Sequence, residues 1–254
     1  MSGFSTFLAK EFTEIRKTWR IWVIPGMLLF FAITGPIIAE ITPALMASIS
    51  KSQPGMKVQM PSPTWRDSYA QFLKSLSQMV LIAVVITGAG AVSGERSSGT
   101  AVLTLTKPVS RGSFVLAKIV SQAGLLIGAT VVSTAVCALL TIMIFGQSPL
   151  TPLLASVSIW TIDAVLLIVV MTLFSAGFAS RGASAGAGLG FFFLTLIISI
   201  WPPANRYSFV GLTSVSGKAL MQQPTAAFWP VATAVVAALL CAWGAVRVFE
   251  KQEL

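Results

Sequence analysis

Gly94-Glu95-Arg96-Ser97-Ser98-Gly99-Thr100, followed by Lys107-Pro108-Val109-Ser110-Arg111, is a polar island between two long apolar runs. Its residue types suit contact rather than catalysis. Ser97 or Ser98 is a natural helix N-cap with Gly99 close behind, and Ala101, Val102, Leu103 and Leu105 form an apolar stripe about two turns long. Pro108 ends that stripe, and Ser110-Arg111-Gly112 turns the chain back toward the next apolar run. A helix this short is unstable alone. It makes sense when docked in a partner's groove, the plainer reading being an ordinary charged loop.

Catalytic constellations are missing. The chain has no histidine, which removes a Ser-His-Asp triad, an HExxH zinc site and a Cys-His pair. No metal site is expected, and Cys137 and Cys241 both lie inside apolar runs as small hydrophobes. Gly211 to Ala219 superficially matches a phosphate-binding loop. It has five residues between its glycines where the motif needs four, and Ala219 stands where a magnesium-binding hydroxyl belongs. No nucleotide site is expected in this chain.

Two carboxylates fall in or beside apolar runs, where a buried charge costs at least about 2.5–3.5 kcal/mol. Asp163 lies between Trp160, Ile162, Ala164 and Val165, and Glu40 ends the first run. Each is read either as a group facing a conduit or as a structural hydrogen-bonding group. Gly182, Gly186 and Gly190 are spaced by four and share one helix face, a pattern that lets two backbones approach closely in lipid. That face is either a subunit interface or packing within one chain.

The elements that position these groups follow from composition. Of 254 residues 55% are hydrophobic and 10% charged, where a soluble domain carries about 25% charged residues. The chain is therefore expected to be an all-α integral membrane protein. The net charge of +9 comes from bases that mostly flank apolar runs and meet anionic lipid, and no basic stripe interleaved with aromatics points to nucleic acid. Six runs are long enough to cross about 30 Å of hydrocarbon, near 21–41, 72–93, 118–145, 153–178, 185–203 and 229–247. A turn around Arg181-Gly182 separates the fourth from the fifth.

Before them, Phe4, Phe7, Leu8, Phe12, Ile15 and Trp19 recur every three or four residues, with Lys10, Glu14, Arg16 and Lys17 largely between. This predicts an amphipathic helix over 1–20, lying in the membrane interface or docked on a cytosolic partner. Eleven of the 17 Lys and Arg fall at the N-terminus, the island, Arg181 and the tail, which places these on the cytoplasmic side. The proline-bearing stretch 42–71 and the stretch 204–228 are then extracytoplasmic loops, the second with short helices tucked into the membrane.

At the island the chain resembles the type-2 permeases of ATP-binding-cassette (ABC) transporters. The resemblance rests on Glu95-Arg96-Ser97-Ser98-Gly99-Thr100, Leu103, Leu105, Pro108-Val109-Ser110-Arg111 and Lys118, placed just after the second span. Members often carry a second acid where this chain has Ser97 or Ser98.

The resemblance implies one permease domain over 1–254, with 94–117 as a coupling helix inserted into a separate cytosolic ATPase present in two copies. Glu95, Arg96, Gly99, Thr100, Leu103, Pro108 and Arg111 would form or brace that element. It also implies pairing with a second permease chain, the same or homologous, through the first and fifth spans. ATP and Mg would be bound by the ATPase, with no cofactor in this chain. The expected setting is a bacterial-type cytoplasmic membrane with both termini cytosolic, and the expected activity is export. Two other readings stand beside it: a self-sufficient transporter or channel built on Asp163, and a non-transporting membrane anchor.

Overall fold

The structure, a computed structural model, describes residues 3–17, 20–52, 62–97 and 111–251. Those residues fold as helices joined by short connections, with no strand among them. Helix α1 spans Gly3–Lys17 and α2 spans Arg20–Ser52. The second span starts with α3 (Trp65–Ser75), passes through a π-helical turn (Leu76–Val80) and continues as α4 (Leu81–Gly88). A short α5 (Ser93–Ser97) follows. Then come α6 (Arg111–Phe145), α7 (Leu150–Gly177) and α8 (Arg181–Ile198). Two short helices, α9 (Pro202–Tyr207) and α10 (Leu212–Leu220), precede α11 (Phe228–Glu250).

Six of these segments are long and apolar enough to cross a membrane, as the hydropathy predicts, but their bounds differ instructively. The helix of the first span runs on through Pro43 to Ser52, and α3 already begins at Trp65, so both ends of the expected loop 42–71 are helical. Prolines within apolar helices are tolerated where neighbouring helices compensate the lost backbone bond, and α2 holds Pro25, Pro36 and Pro43. At the start of α3, Asp67 Oδ2 accepts from the backbone N–H and the hydroxyl of Thr64, at 2.8 and 2.9 Å, which fixes that helix end.

Helix α8 starts at Arg181, earlier than the expected 185, because the Ser180 hydroxyl caps it by accepting from Ala183 N at 3.1 Å. It ends at Ile198, before the expected 203, because Pro202 and Pro203 open a new helix where their missing N–H groups cost nothing.

The core forms around α7, which packs against α4, α6, α8, α10 and α11. Trp160, Ala164 and Met171 of that helix are fully buried. Facing lipid, α2, α6, α8 and α11 expose Phe30, Val131, Ile197 and Leu239. Such outward apolar surface is what a membrane span requires. Inside, contact relies on small residues and hydroxyls. A Cβ on Gly88 would lie 2.9 Å from Met171 Cβ, and one on Gly188 2.2 Å from Met171 Sδ, so two glycines admit one methionine between three helices. Ser68 and Thr141 share a hydrogen bond of 2.7 Å, and Ser216 donates to Ser156 O at 2.7 Å.

Candidate functional site

Two places gather polar chemistry, one at each end of the polar and apolar logic above. The first is the root of the island. Helix α4 stops at Gly88, and the backbone must turn before α5 presents Glu95. A buried hydroxyl from the fourth span manages that break. Ser175 Oγ accepts from Val92 N at 2.9 Å and Ser93 N at 3.0 Å and donates to Ala89 O at 2.9 Å. Ser175 was not singled out from the sequence, where a serine in an apolar run carries no signal of a contact 82 residues away.

Glu95 then points inward. Its Oε1 contacts Lys118 Nζ on α6, whose side chain is almost fully buried. Lys118 also donates to both carboxylate oxygens of Glu11 on α1, at 3.2 and 3.1 Å. Lys10 completes the group, 3.0 Å from Glu14, 3.3 Å from Glu11 and 3.8 Å from Glu95. The ammonium of Lys118 also stands 4.9 Å from the ring centroid of Phe114, which packs between Phe7 and Phe249. Three helices distant in sequence thus meet at one buried charge. Lys10 is held above its ordinary pKa of 10.5: burial, the largest single influence, pulls it down, but the hydrogen bond it donates to Glu14 and the charges of Glu95, Glu11 and Glu14 together outweigh it. Carboxylate oxygens of Glu11, Glu14 and Glu95 lie within 4.8 Å of one another, and the two lysine ammoniums already stand among them as counter-charges.

The other root of the island is held as well. Arg111 opens α6 and donates to the carbonyls of Glu250 at 2.9 Å and Phe249 at 3.4 Å, the C-terminal end of α11. A guanidinium there meets unsatisfied carbonyls and the negative end of the helix dipole. Beside the first root, Gly94 lets the guanidinium of Arg181 lie close, since a Cβ there would fall 2.9 Å from it and push the side chain aside. Among the coupling residues read from the sequence, the structure therefore places Glu95 and Arg111 at the two anchors. The side chain of Arg96, and Gly99, Thr100, Leu103 and Pro108 altogether, lie outside the described residues.

The second place is a cavity of about 250 Å³ near the middle of the fourth span. Asp163 lines it from α7, with Phe191, Phe192 and Thr195 from α8 and Asn205, Phe209 and Thr213 from the α9–α10 region. Asp163 Oδ2 accepts from Thr213 Oγ1 at 3.3 Å. The stretch that mimics a phosphate loop lies here and has another purpose: a Cβ on Gly211 would fall 1.8 Å from Asn205 O, so the glycine lets two pieces of backbone meet while 212–220 is plain helix. Glu40 is elsewhere, exposed on α2, and is not among the described residues that line the Asp163 cavity. Gly182, Gly186 and Gly190 have open space where their Cβ atoms would be, and α8 packs inward through Ser184, Gly188 and Phe192 instead.

Six segments of this helical chain are long and apolar enough to cross a membrane, and residues 6–203 match the family described as ABC-2 family transporter protein. The match covers most of the chain, which belongs to that family. Across its whole length the chain is also similar to a protein of Bacillus subtilis (strain 168) described as uncharacterized transmembrane protein YxlG. The two are 20% identical over 256 residues, covering 100% of this chain and 99% of the relative. The protein is a multi-pass membrane permease component of the ABC-transporter kind.

Proposed function

We propose that the chain is the membrane-spanning half of an ATP-driven exporter, paired with a second permease chain and driven by two copies of a separate cytosolic ABC ATPase through segment 94–117. ATP and Mg belong to that ATPase. Both termini and the segment face the cytosol of a bacterial-type cytoplasmic membrane.

The observation that carries this reading is the anchoring of the segment at both roots. Glu95 is tied through Lys118 and Glu11 to α1 and α6, and Arg111 is tied to the end of α11. A push on a loosely tethered loop would dissipate in the loop. A push on a segment anchored this way moves the N-terminal helix with the third and sixth spans. Closure of two ATPase subunits on ATP would thereby bias the permease pair between inward- and outward-open states.

The test is co-purification of the tagged chain with an ABC ATPase encoded beside it, comparing wild type with Gly99→Leu. The expected result is loss of the complex and of its ATPase activity in a variant that still inserts normally. An unchanged complex with unchanged ATPase activity overturns the coupling role of 94–117.

A further inference from the structure

We propose that the cavity around Asp163 binds a protonated amine carried on an apolar body, with the Asp163 carboxylate as counter-ion and phenylalanine rings as the apolar wall. This deepens the permease reading by naming the chemical class of its substrate, and rests on that reading only for the word substrate.

The carboxylate is under-satisfied for its position. An ionised carboxylate accepts at about four lone-pair sites, and a good O–H···O bond has a distance of about 2.7–2.8 Å. Asp163 receives one long bond of 3.3 Å from Thr213, and among the described residues no ion pair reaches it. Charged groups at membrane depth normally find a partner or face a cavity that supplies one. Asp163 faces the cavity.

The other polar lining residues are neutral groups that can accept as well as donate. Asn205 Oδ1 is buried with no hydrogen-bond partner, and Asn205 lines the same cavity. Ser77, Thr195 and Ser214 line it too, and among the described residues no lysine or arginine lines it. Ser77 stands there on the π-helical turn Leu76–Val80, a departure from α-helix that commonly occurs at functional sites. One carboxylate among neutral hydroxyls and an amide gives the lining a negative charge, which selects a positively charged, hydrogen-bond-donating group.

The remaining wall is apolar and aromatic. Phe191 and Phe209 are stacked with ring centroids 6.3 Å apart, and Phe192, Leu166 and Leu167 line the same space. Ring faces attract ammonium groups in a dry site, and the apolar wall takes the hydrocarbon that carries the amine. A volume of about 250 Å³ has room for roughly eight waters. That suits an ammonium with a short apolar arm better than a whole lipid.

The experiment uses the purified full-length chain in lipid nanodiscs without the ATPase. The probe is a short alkyl amine bearing a diazirine, and the control is the alcohol of the same skeleton. Photolabelled peptides are mapped by mass spectrometry, with unlabelled phenethylamine as competitor. The expected result is amine labelling within residues 191–214 that phenethylamine displaces and the alcohol does not reproduce. Asp163→Asn, which keeps the shape, should weaken the amine about tenfold or more and leave the alcohol unchanged, while Asp163→Glu retains binding. Equal labelling by amine and alcohol, or undiminished amine binding in Asp163→Asn, overturns the proposal. If Asp163→Asn fails to elute as a folded species, the wild-type contrast between amine and alcohol still decides. With the chain reconstituted beside its ATPase, amine binding without ATP-driven movement of the amine would keep the binding site and overturn its role as a substrate site. ATP-driven movement of another compound with no amine binding would sink the site and keep the exporter.

Discussion

Lys118 would be a costly residue were it alone. Its side chain is almost wholly enclosed, and its ammonium is satisfied only because Glu11 and Glu95 arrive from two other helices. A buried pair of this kind adds little net stability over a well-packed apolar replacement, but removing one partner strands the other charge. Lys118→Met should therefore destabilise the protein by about 3–5 kcal/mol, read as a lowered melting temperature in detergent, with α1 more open to protease. An unchanged melting temperature would mean the charges find water instead. The sequence pointed to Glu95 and Lys118 through their motif, but Glu11 was not singled out within the amphipathic helix expected over 1–20. Periodicity can say that position 11 shares a face with Phe7, but not that a lysine 107 residues later meets it there.

Among the elements, the second and fourth spans set the geometry of both polar places. Helix α7 provides Asp163 to the cavity and Ser175 to the turn before α5, and Met171 between them wedges against α4 and α8. The wedge depends on Gly88, where an added methyl would meet Met171 Cβ, an atom with no freedom to swing aside. Gly88→Ala is expected to cost about 1–3 kcal/mol and to loosen the turn that holds Glu95. Hydrogen exchange at Val92 and Ser93 amides measures this, and faster exchange there is the expected outcome. Span existence was legible because lipid imposes a minimum apolar length. Span ends were less so, since caps such as Ser180 and the Pro202-Pro203 start act over a few residues that hydropathy averages away.

At the scale of the molecule, α8 has two unlike faces. Ser184, Gly188 and Phe192 pack inward, leaving Gly182, Gly186 and Gly190 facing out with room for another helix. Among the described residues nothing packs on the outer stripe, so its small residues leave room for another helix. Gly186→Leu is expected to leave the fold intact and shift the population in nanodiscs or mild detergent from dimer toward monomer, measured by light scattering. An unchanged dimer would place the interface on another helix, such as α2.

What the sequence alone determined is the membrane class, the six spans, and the family to which the motif after the second span belongs. These follow from quantities summed along the chain, apolar length and local residue order, which lipid reads directly. Only the tertiary structure decided that Glu95 turns inward to Lys118 and Glu11, that Asp163 faces a cavity with Asn205 and three phenylalanines rather than a packed helix, and which glycines of α8 stay open. The reason is physical. A charge or a glycine has the same local pattern whether its partner is lipid, water or another helix. Its role is set by which distant residues the fold brings within a few ångströms.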